Sequence, residues 1–349
     1  MSPKTVVPGF EPIVGQQFPI RILQRFLRRA AVPHAMLFTG IEGIGKRATA
    51  KAMAMALNCR NGIKSVDEGP AGAFDQPCRR CPLCRQIDAG KHPDIIEVAP
   101  RKGILRIDQV RGLLSTLAMK PFSAASRVVI VRDTHKMNPE AGNALLKVLE
   151  EPPEGTMLVL TAPQRSDLLA TIVSRCRHIR FNPLSADDIA GLLTETQGLD
   201  DTLSKTLAKA AGGSYTKALH LAQGRWHQRR DWLIRAAGLD RIARQGPMSS
   251  TLALAFSVEL AQNKEQIDDD LEIMKAWVRD LSVWPFDAHH IINADRGETL
   301  QRVRRHLSDR QLLAIWETLE KAQKDIAGNA NLRLTLDNMA LRMASLRAA

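Results

Sequence analysis

Four of the five cysteines fall in one short stretch, at Cys59, Cys78, Cys81 and Cys84, with the spacing C-x₁₈-C-x₂-C-x₂-C. Two tight C-x₂-C steps and one more distant Cys can close a tetrahedral thiolate site around Zn²⁺. Four thiolates leave no coordination position open, so such a site is structural and not catalytic. An odd total of cysteines in a chain without secretory features reads as metal binding and not as a disulfide framework. The fifth, Cys176, is isolated and reads as a small buried hydrophobe.

A second constellation is Gly40-Ile-Glu-Gly-Ile-Gly-Lys46. It follows an apolar run, Ala35–Phe38, and precedes a helical pattern, the context of a phosphate-binding loop. Glycines let backbone amides approach phosphates and the Lys reaches the terminal ones. The next position requires a Ser or Thr hydroxyl for Mg²⁺, and here it is Arg47, which repels a cation. Thr49 lies two residues on and is no obvious substitute. An ATPase also needs adjacent acids at the end of a later strand. After Arg127–Val131 the chain reads Arg132-Asp133, so the first acid is replaced by a second Arg. Both metal-binding positions are therefore cationic, which points to a site released from hydrolysis. Gly40, Gly43, Gly45 and Lys46 are all present, which leaves ATP binding without hydrolysis open.

The elements that would position these residues alternate between strand and helix, the pattern of a parallel α/β sheet. Strands are expected at Ala35–Phe38, Ile95–Val98, Arg127–Val131, Met157–Thr161 and His178–Phe181. Helices are expected at Lys46–Leu57, Ile107–Met119 and Pro139–Leu149, the last capped by Asn138. The Gly-rich segment Asn61–Pro77 reads as a loop. After Asn182-Pro183 the strand signals stop, and Ser185 with two following acids marks a helix start. The expected organisation is a P-loop-type domain over 1–182 carrying a zinc module at 58–90, a helical lid at 183–224, and a helical domain at 225–349 broken at Gly246-Pro247 and near Pro285.

Composition narrows the partners. The chain has 349 residues, with 49 Lys and Arg against 37 Asp and Glu, a formal charge of +12. Such a balance favours polyanions, nucleic acid above all. Aromatics make up 4% of residues, with a single Tyr, which argues against a base-stacking surface and for contact through phosphates. The helical stretch Arg225–Trp232 is basic and carries two Trp; a solvated face with packed Trp is the simpler reading than a DNA-facing one. No apolar run approaches the length of a membrane helix, and Met1–Phe10 has no signal-peptide character, so no membrane association and a cytoplasmic address are expected.

Taken together these features resemble the clamp-loader branch of the AAA+ ATPases. The string Asn143-Ala-Leu-Leu-Lys-Val-Leu-Glu-Glu-Pro-Pro153 carries much of the likeness, with Ser174-Arg-Cys176 and the preceding Leu168–Ile172. Gly15-Gln16 resembles the family's nucleotide-flanking segment, and Gly212–Ala218 its second sensor region, with Lys217 where Arg is usual. The resemblance implies a RecA-like AAA+ fold with a zinc insertion, a lid and an all-α collar in a five-subunit ring. It implies gamma or tau and delta subunits, the sliding clamp and primed DNA as partners. It also implies that Arg175 acts as an arginine finger in a neighbour's ATP site. The family's motor subunits keep the Ser/Thr and an Asp-Glu pair, which this chain lacks. The zinc cysteines and SRC motif beside a degraded site resemble a non-hydrolysing, stator-like subunit of a DNA polymerase III holoenzyme. An active clamp-loader ATPase and a DNA-repair AAA+ factor are the alternatives.

Overall fold

A strand buried on both faces needs no polar alternation, and three of the strands in this chain have none. The computed structural model describes residues 10, 13–62, 75–240, 248–287 and 290–346. These divide into two compact units, Met1–Asp188 with Gly213–Thr216, and Ile189–Gly212 with Lys217–Ala349.

In the first unit the strands are β1 (Ala35–Thr39), β2 (Ile95–Val98), β3 (Arg127–Val131), β4 (Thr156–Ala162) and β5 (Arg177–Arg180). They form one parallel five-stranded sheet in the order β2-β3-β4-β1-β5. Every residue of β1, β3 and β4 is buried, while the edge strand β5 shows mostly polar, exposed positions. The helices are α1 (Gln17–Arg28), α2 (Lys46–Asn58), α3 (Pro82–Asp88), α4 (Ile107–Leu117), α5 (Pro139–Glu150) and α6 (Ala170–Val173). Asn138 caps α5 by accepting from the Ala141 amide at 3.2 Å, as its position before Pro139 leads one to expect. Val110, Leu113 and Leu117 of α4 pack with Leu145, Val148 and Leu149 of α5 in the core under the sheet. The helical spacing of those residues has this packing as its cause.

The loop entering β3 is pinned from below by a buried ion pair. Asp94 accepts the amides of Phe122, Ser123 and Ala124 at 2.8, 2.8 and 2.9 Å. Arg127 lies 3.6 Å from Asp94 and donates to the carbonyls of Thr116, Met119 and Lys120. One acid and one base thereby hold both the donors and the acceptors of a turn that regular structure leaves unpaired.

Downstream of Arg180 no strand occurs among the described residues. The helices are α7 (Ala186–Gln197), α8 (Asp201–Ala210), α9 (Tyr215–Gln223), α10 (Trp226–Ala236), α11 (Ser250–Ala261), α12 (Ile267–Val283), α13 (Gly297–Arg304), α14 (Asp309–Ala327) and α15 (Leu332–Ser345). Ser185 accepts the Asp188 amide at 3.0 Å at the start of α7. Ser249, Ser308 and Asn331 cap α11, α14 and α15 in the same way. The expected break at Gly246-Pro247 touches residues outside those described, as do 63–74 of the expected zinc module and loop; α12 ends at Val283, just before Pro285.

The basic helix at Arg225–Trp232 is solvated only in part: Arg225 and Gln228 are exposed, but Arg229 and Arg230 turn to acids of their own unit. Arg230 is 1% exposed, and its guanidinium binds Asp295 through two nitrogens, the second at 2.6 Å, with Asp231 and Asn293 alongside. Arg229 binds the buried Asp270 and stacks 4.3 Å over Trp232. Trp226 is buried, as a packed Trp should be. Two of the helix's cations are thus consumed by acids of its own unit.

Candidate functional site: a phosphate loop closed on itself

In a parallel sheet ligands bind beyond the carboxyl ends of the strands, where the order reverses. β1 lies between β4 and β5, and beyond its end runs Gly40–Gly45, leading into α2 with Gly45 at φ +97°. A cavity of about 540 Å³ opens here, lined among others by Lys46, Arg47, Lys51, Arg132, Asp133 and Thr161. The sequence-expected loop residues and the strand-end pair Arg132-Asp133 are therefore brought to one place. Asp133 takes a left-handed conformation at φ +49°, and its amide donates to the Thr161 hydroxyl at 3.0 Å.

Three cations of this cavity are engaged by the chain itself. Lys46 Nζ donates to the carbonyl of Gly40 and, at 2.6 Å, to that of Ile41. Burial lowers the Lys46 pKa, against the opposing pull of Asp133 and Glu42. Arg47 grips Glu97 through two nitrogens, at 2.5 and 2.8 Å. Arg132 reaches the same carboxylate oxygen, Glu97 Oε1, at 3.5 Å. Burial opposes ionisation of Glu97, but the Arg47 hydrogen bonds and the charges of Arg47, Arg132 and Lys51 hold its carboxyl below the usual range. Arg47 and Arg132 thus converge on one carboxylate. Glu97 was not singled out by sequence; the only signal was an acid inside the short strand β2.

The glycines have steric partners as well. A Cβ on Gly40 would meet the Phe181 carbonyl oxygen at 2.7 Å, and one on Gly43 would meet the Thr216 amide at 2.8 Å. The Tyr215 amide also donates to the Gly43 carbonyl at 3.0 Å. These are contacts to rigid backbone, which a side chain cannot push aside. Lys217, one residue beyond, belongs to the second unit and lines a different cavity there, with Glu272, Lys275 and Trp316.

Beside α2 the four cysteines come together at the end of that helix and the start of α3. The Sγ atoms of Cys59, Cys78, Cys81 and Cys84 all lie within 4.8 Å of one another. A tetrahedral zinc thiolate site has sulfurs about 3.8 Å apart, from Zn–S bonds of ~2.3 Å. The Cys78 amide donates to Cys59 Sγ and the Cys84 amide to Cys81 Sγ, each at 3.4 Å. Such N–H groups stabilise sulfur as thiolate. Burial opposes ionisation of Cys78, yet the amides of Cys81 and Arg80 bring its thiol down to about 7, whereas burial pushes the Cys59 and Cys84 thiols up. Donor type, number and convergence all fit a metal such as zinc. Cys176 stands apart, half-buried against the core, with its thiol pushed up to about 12 by burial.

Arg175 follows α6 and precedes β5, away from the four cysteines in sequence and site. Its guanidinium pairs with Glu150 at 2.7 Å and donates to the Thr171 carbonyl at 3.0 Å. Both partners of the pair remain substantially exposed, at 36% and 50%. The arginine is thus held at the surface by the last residue of α5.

Residues 15–185 match the family model described as DNA polymerase III, delta subunit, and residues 226–345 the model for the C-terminal part of that subunit. DNA polymerase III subunit gamma of Buchnera aphidicola (Schizaphis graminum) is 30% identical over 224 residues, covering 63% of this chain and 59% of that protein. Subunit delta' of Bacillus subtilis is 32% identical over 189 residues, 54% of each chain. Subunit tau/gamma of Haemophilus influenzae is 28% identical over 366 residues, covering 97% of this chain and 49% of that protein. The chain thus spans about half to three fifths of the length of these relatives. Among solved structures, a gamma subunit-related protein of Thermotoga maritima aligns with a TM-score of 0.48 at 17% identity, covering 94% of this chain and 99% of that one.

Proposed function

The chain belongs to the DNA polymerase III clamp-loader family, and we propose that within it this is a delta-prime-type subunit, a stator that does not hydrolyse ATP. The observation that carries the reading is the convergence of Arg47 and Arg132 on Glu97. A cation needs anionic or neutral oxygen ligands, and the two positions that should supply them carry guanidinium groups. Without Mg²⁺ the charge of a transferring phosphoryl group has no metal to neutralise it.

In this reading the subunit is a rigid member of a ring with gamma or tau and delta, and the ring loads the sliding clamp on primed DNA through phosphate contacts. Residues 183–224 act as lid and 225–349 as the collar domain; both stretches are helical among the described residues, although 189–212 and 217–349 form one compact unit. Arg175 serves a neighbour's ATP site, which its surface exposure permits. The four cysteines hold structural zinc, which cross-links the end of α2 to α3. No described helix is long and apolar enough to cross a membrane, in keeping with a cytoplasmic replication factor.

The relatives named gamma and tau favour one competing reading, an active ATPase. A Mg²⁺-ATP turnover assay on the purified chain separates the two. We expect no hydrolysis above background, and none from Arg47→Thr, because Arg132 still occupies the second position. Turnover by the wild-type chain that disappears in Lys46→Ala would refute the stator reading. Co-purification with delta, gamma or tau and the clamp separates both from a DNA-repair role.

A further inference from the structure

The geometry around Glu97 has a simple chemical description. Two guanidinium groups from different elements, Arg47 at the start of α2 and Arg132 just beyond β3, close on a single carboxylate. Arg47 contacts both of its oxygens in the forked arrangement that also recognises phosphate. A phosphate oxygen carries similar charge and accepts the same hydrogen bonds. The pair is not sealed in the core, since the Arg47 and Arg132 side chains are 52% and 36% exposed and both line the cavity of about 540 Å³. Lys51 and Arg79 line that cavity too, as do the acids Glu42, Asp88 and Asp133, so the site proposed is confined to the two arginines and not to the whole cavity. The structure therefore contains an anion site whose anion is part of the chain.

We propose that Arg47 and Arg132 form a metal-independent site for phosphate-class anions, which Glu97 occupies as an internal ligand and so keeps closed. The proposal rests on the reading above that the cavity does not handle Mg²⁺-nucleotide. It adds that the two guanidinium groups are withheld from a free anion by an internal carboxylate and not by loss of anion-binding groups. Glu97 is tethered one strand away, with Ile130 of β3 as its register partner, so its effective concentration at the arginines is high. A free anion must displace it, and pays the loss of three charge-assisted contacts to do so.

The test uses inorganic pyrophosphate in Mg²⁺-free buffer without chelator, with the full chain and its bound metal measured before and after titration. In Glu97→Ala a carboxylate-sized gap opens between the arginines. Pyrophosphate should then bind at least about 10-fold more tightly than to wild type, seen by calorimetry and as a rise in Tm with ligand concentration. The rise should vanish in Glu97→Ala/Arg47→Met. Glu97→Gln, which keeps the shape and removes the charge, guards against a folding defect in the alanine variant and should show a smaller gain of the same sign. Equal pyrophosphate affinity in wild type and both Glu97 variants overturns the proposal, as does binding that requires Mg²⁺. ATP hydrolysis by wild type would refute the stator reading whatever the anion result. Failure of anion binding with no hydrolysis would leave the stator reading standing and remove the internal-ligand proposal alone.

Discussion

Replacing Arg175 with Ala separates a structural arginine from one that acts on a neighbour. Among the described residues Arg175 makes one ion pair, to Glu150, and hydrogen bonds to Thr171 and Ser174. Since both charges are more than a third exposed, water screens the pair and its contribution is under about 1 kcal/mol. In a unit of this size that corresponds to a Tm loss of no more than about 2–4 °C. If instead Arg175 enters a neighbouring ATP site, its removal forfeits about 10³–10⁵ in turnover at that site. The two magnitudes differ so far that a single pair of variants decides between them. Glu150→Ala removes the same ion pair and leaves the guanidinium free. We expect both variants to fold, retain metal and assemble with gamma or tau and delta. Clamp loading on primed DNA should fall steeply in Arg175→Ala and be near wild type in Glu150→Ala. Wild-type loading by assembled Arg175→Ala, or equal loss in both variants, would refute the finger and leave Arg175 a surface strut.

Two further outcomes follow from the first unit. The purified chain should carry about one Zn²⁺, and Cys81→Ala should lose it and open the 75–90 segment to protease while the sheet persists, because structural zinc contributes roughly 10–16 kcal/mol to local folding; metal-free fresh protein by elemental analysis would contradict this. Burial works against the charge of Asp94, but three amides and Arg127 hold its carboxyl below the ordinary 3.8, so its stabilisation is present above about pH 4 and fades as pH falls through the lower folded value. Asp94→Asn should cost about 3–5 kcal/mol at pH 7 and show a shallower acid loss in urea midpoints than wild type; parallel pH profiles would exclude that role.

Much of the first unit was readable because burial on both faces writes itself into consecutive residues. The runs in β1, β3 and β4 are apolar without alternation, and their expected limits differ from the observed ones by a residue at most. The edge strand β5 was placed one residue late, since Arg-His-Ile-Arg has only one buried position to mark its register. The cysteine spacing predicted the convergence of four sulfurs, because C-x₂-C steps constrain a turn locally. What sequence could not yield were pairings between distant charges. Glu97 meets Arg47 and Arg132 from 50 and 35 positions away. Arg230 meets Asp295 from 65 away. A helix read alone shows only its cations, so α10 looked like a solvated basic face when two of its arginines were bound inside their own unit.

Under the stator reading, the loop at 40–46 is a motif that has outlasted the chemistry it implies. Gly40 is excluded from bearing a side chain by the Phe181 carbonyl, and Gly43 by the Thr216 amide. Lys46 is engaged by two carbonyls of the loop, and Arg47 and Arg132 by Glu97. Gly40, Gly43, Lys46 and the two arginines therefore each have an internal reason to be where they are, and they do not by themselves argue for bound nucleotide. The consequence bears on mechanism. A ligand shifts a conformational equilibrium only by its difference in affinity for the two states. A loop whose cations are already satisfied by the chain offers little such difference between bound ATP and bound ADP. Under the stator reading that is the physical requirement: the unit beside a motor must keep its shape while its neighbour's nucleotide changes, and contacts that do not depend on nucleotide achieve this.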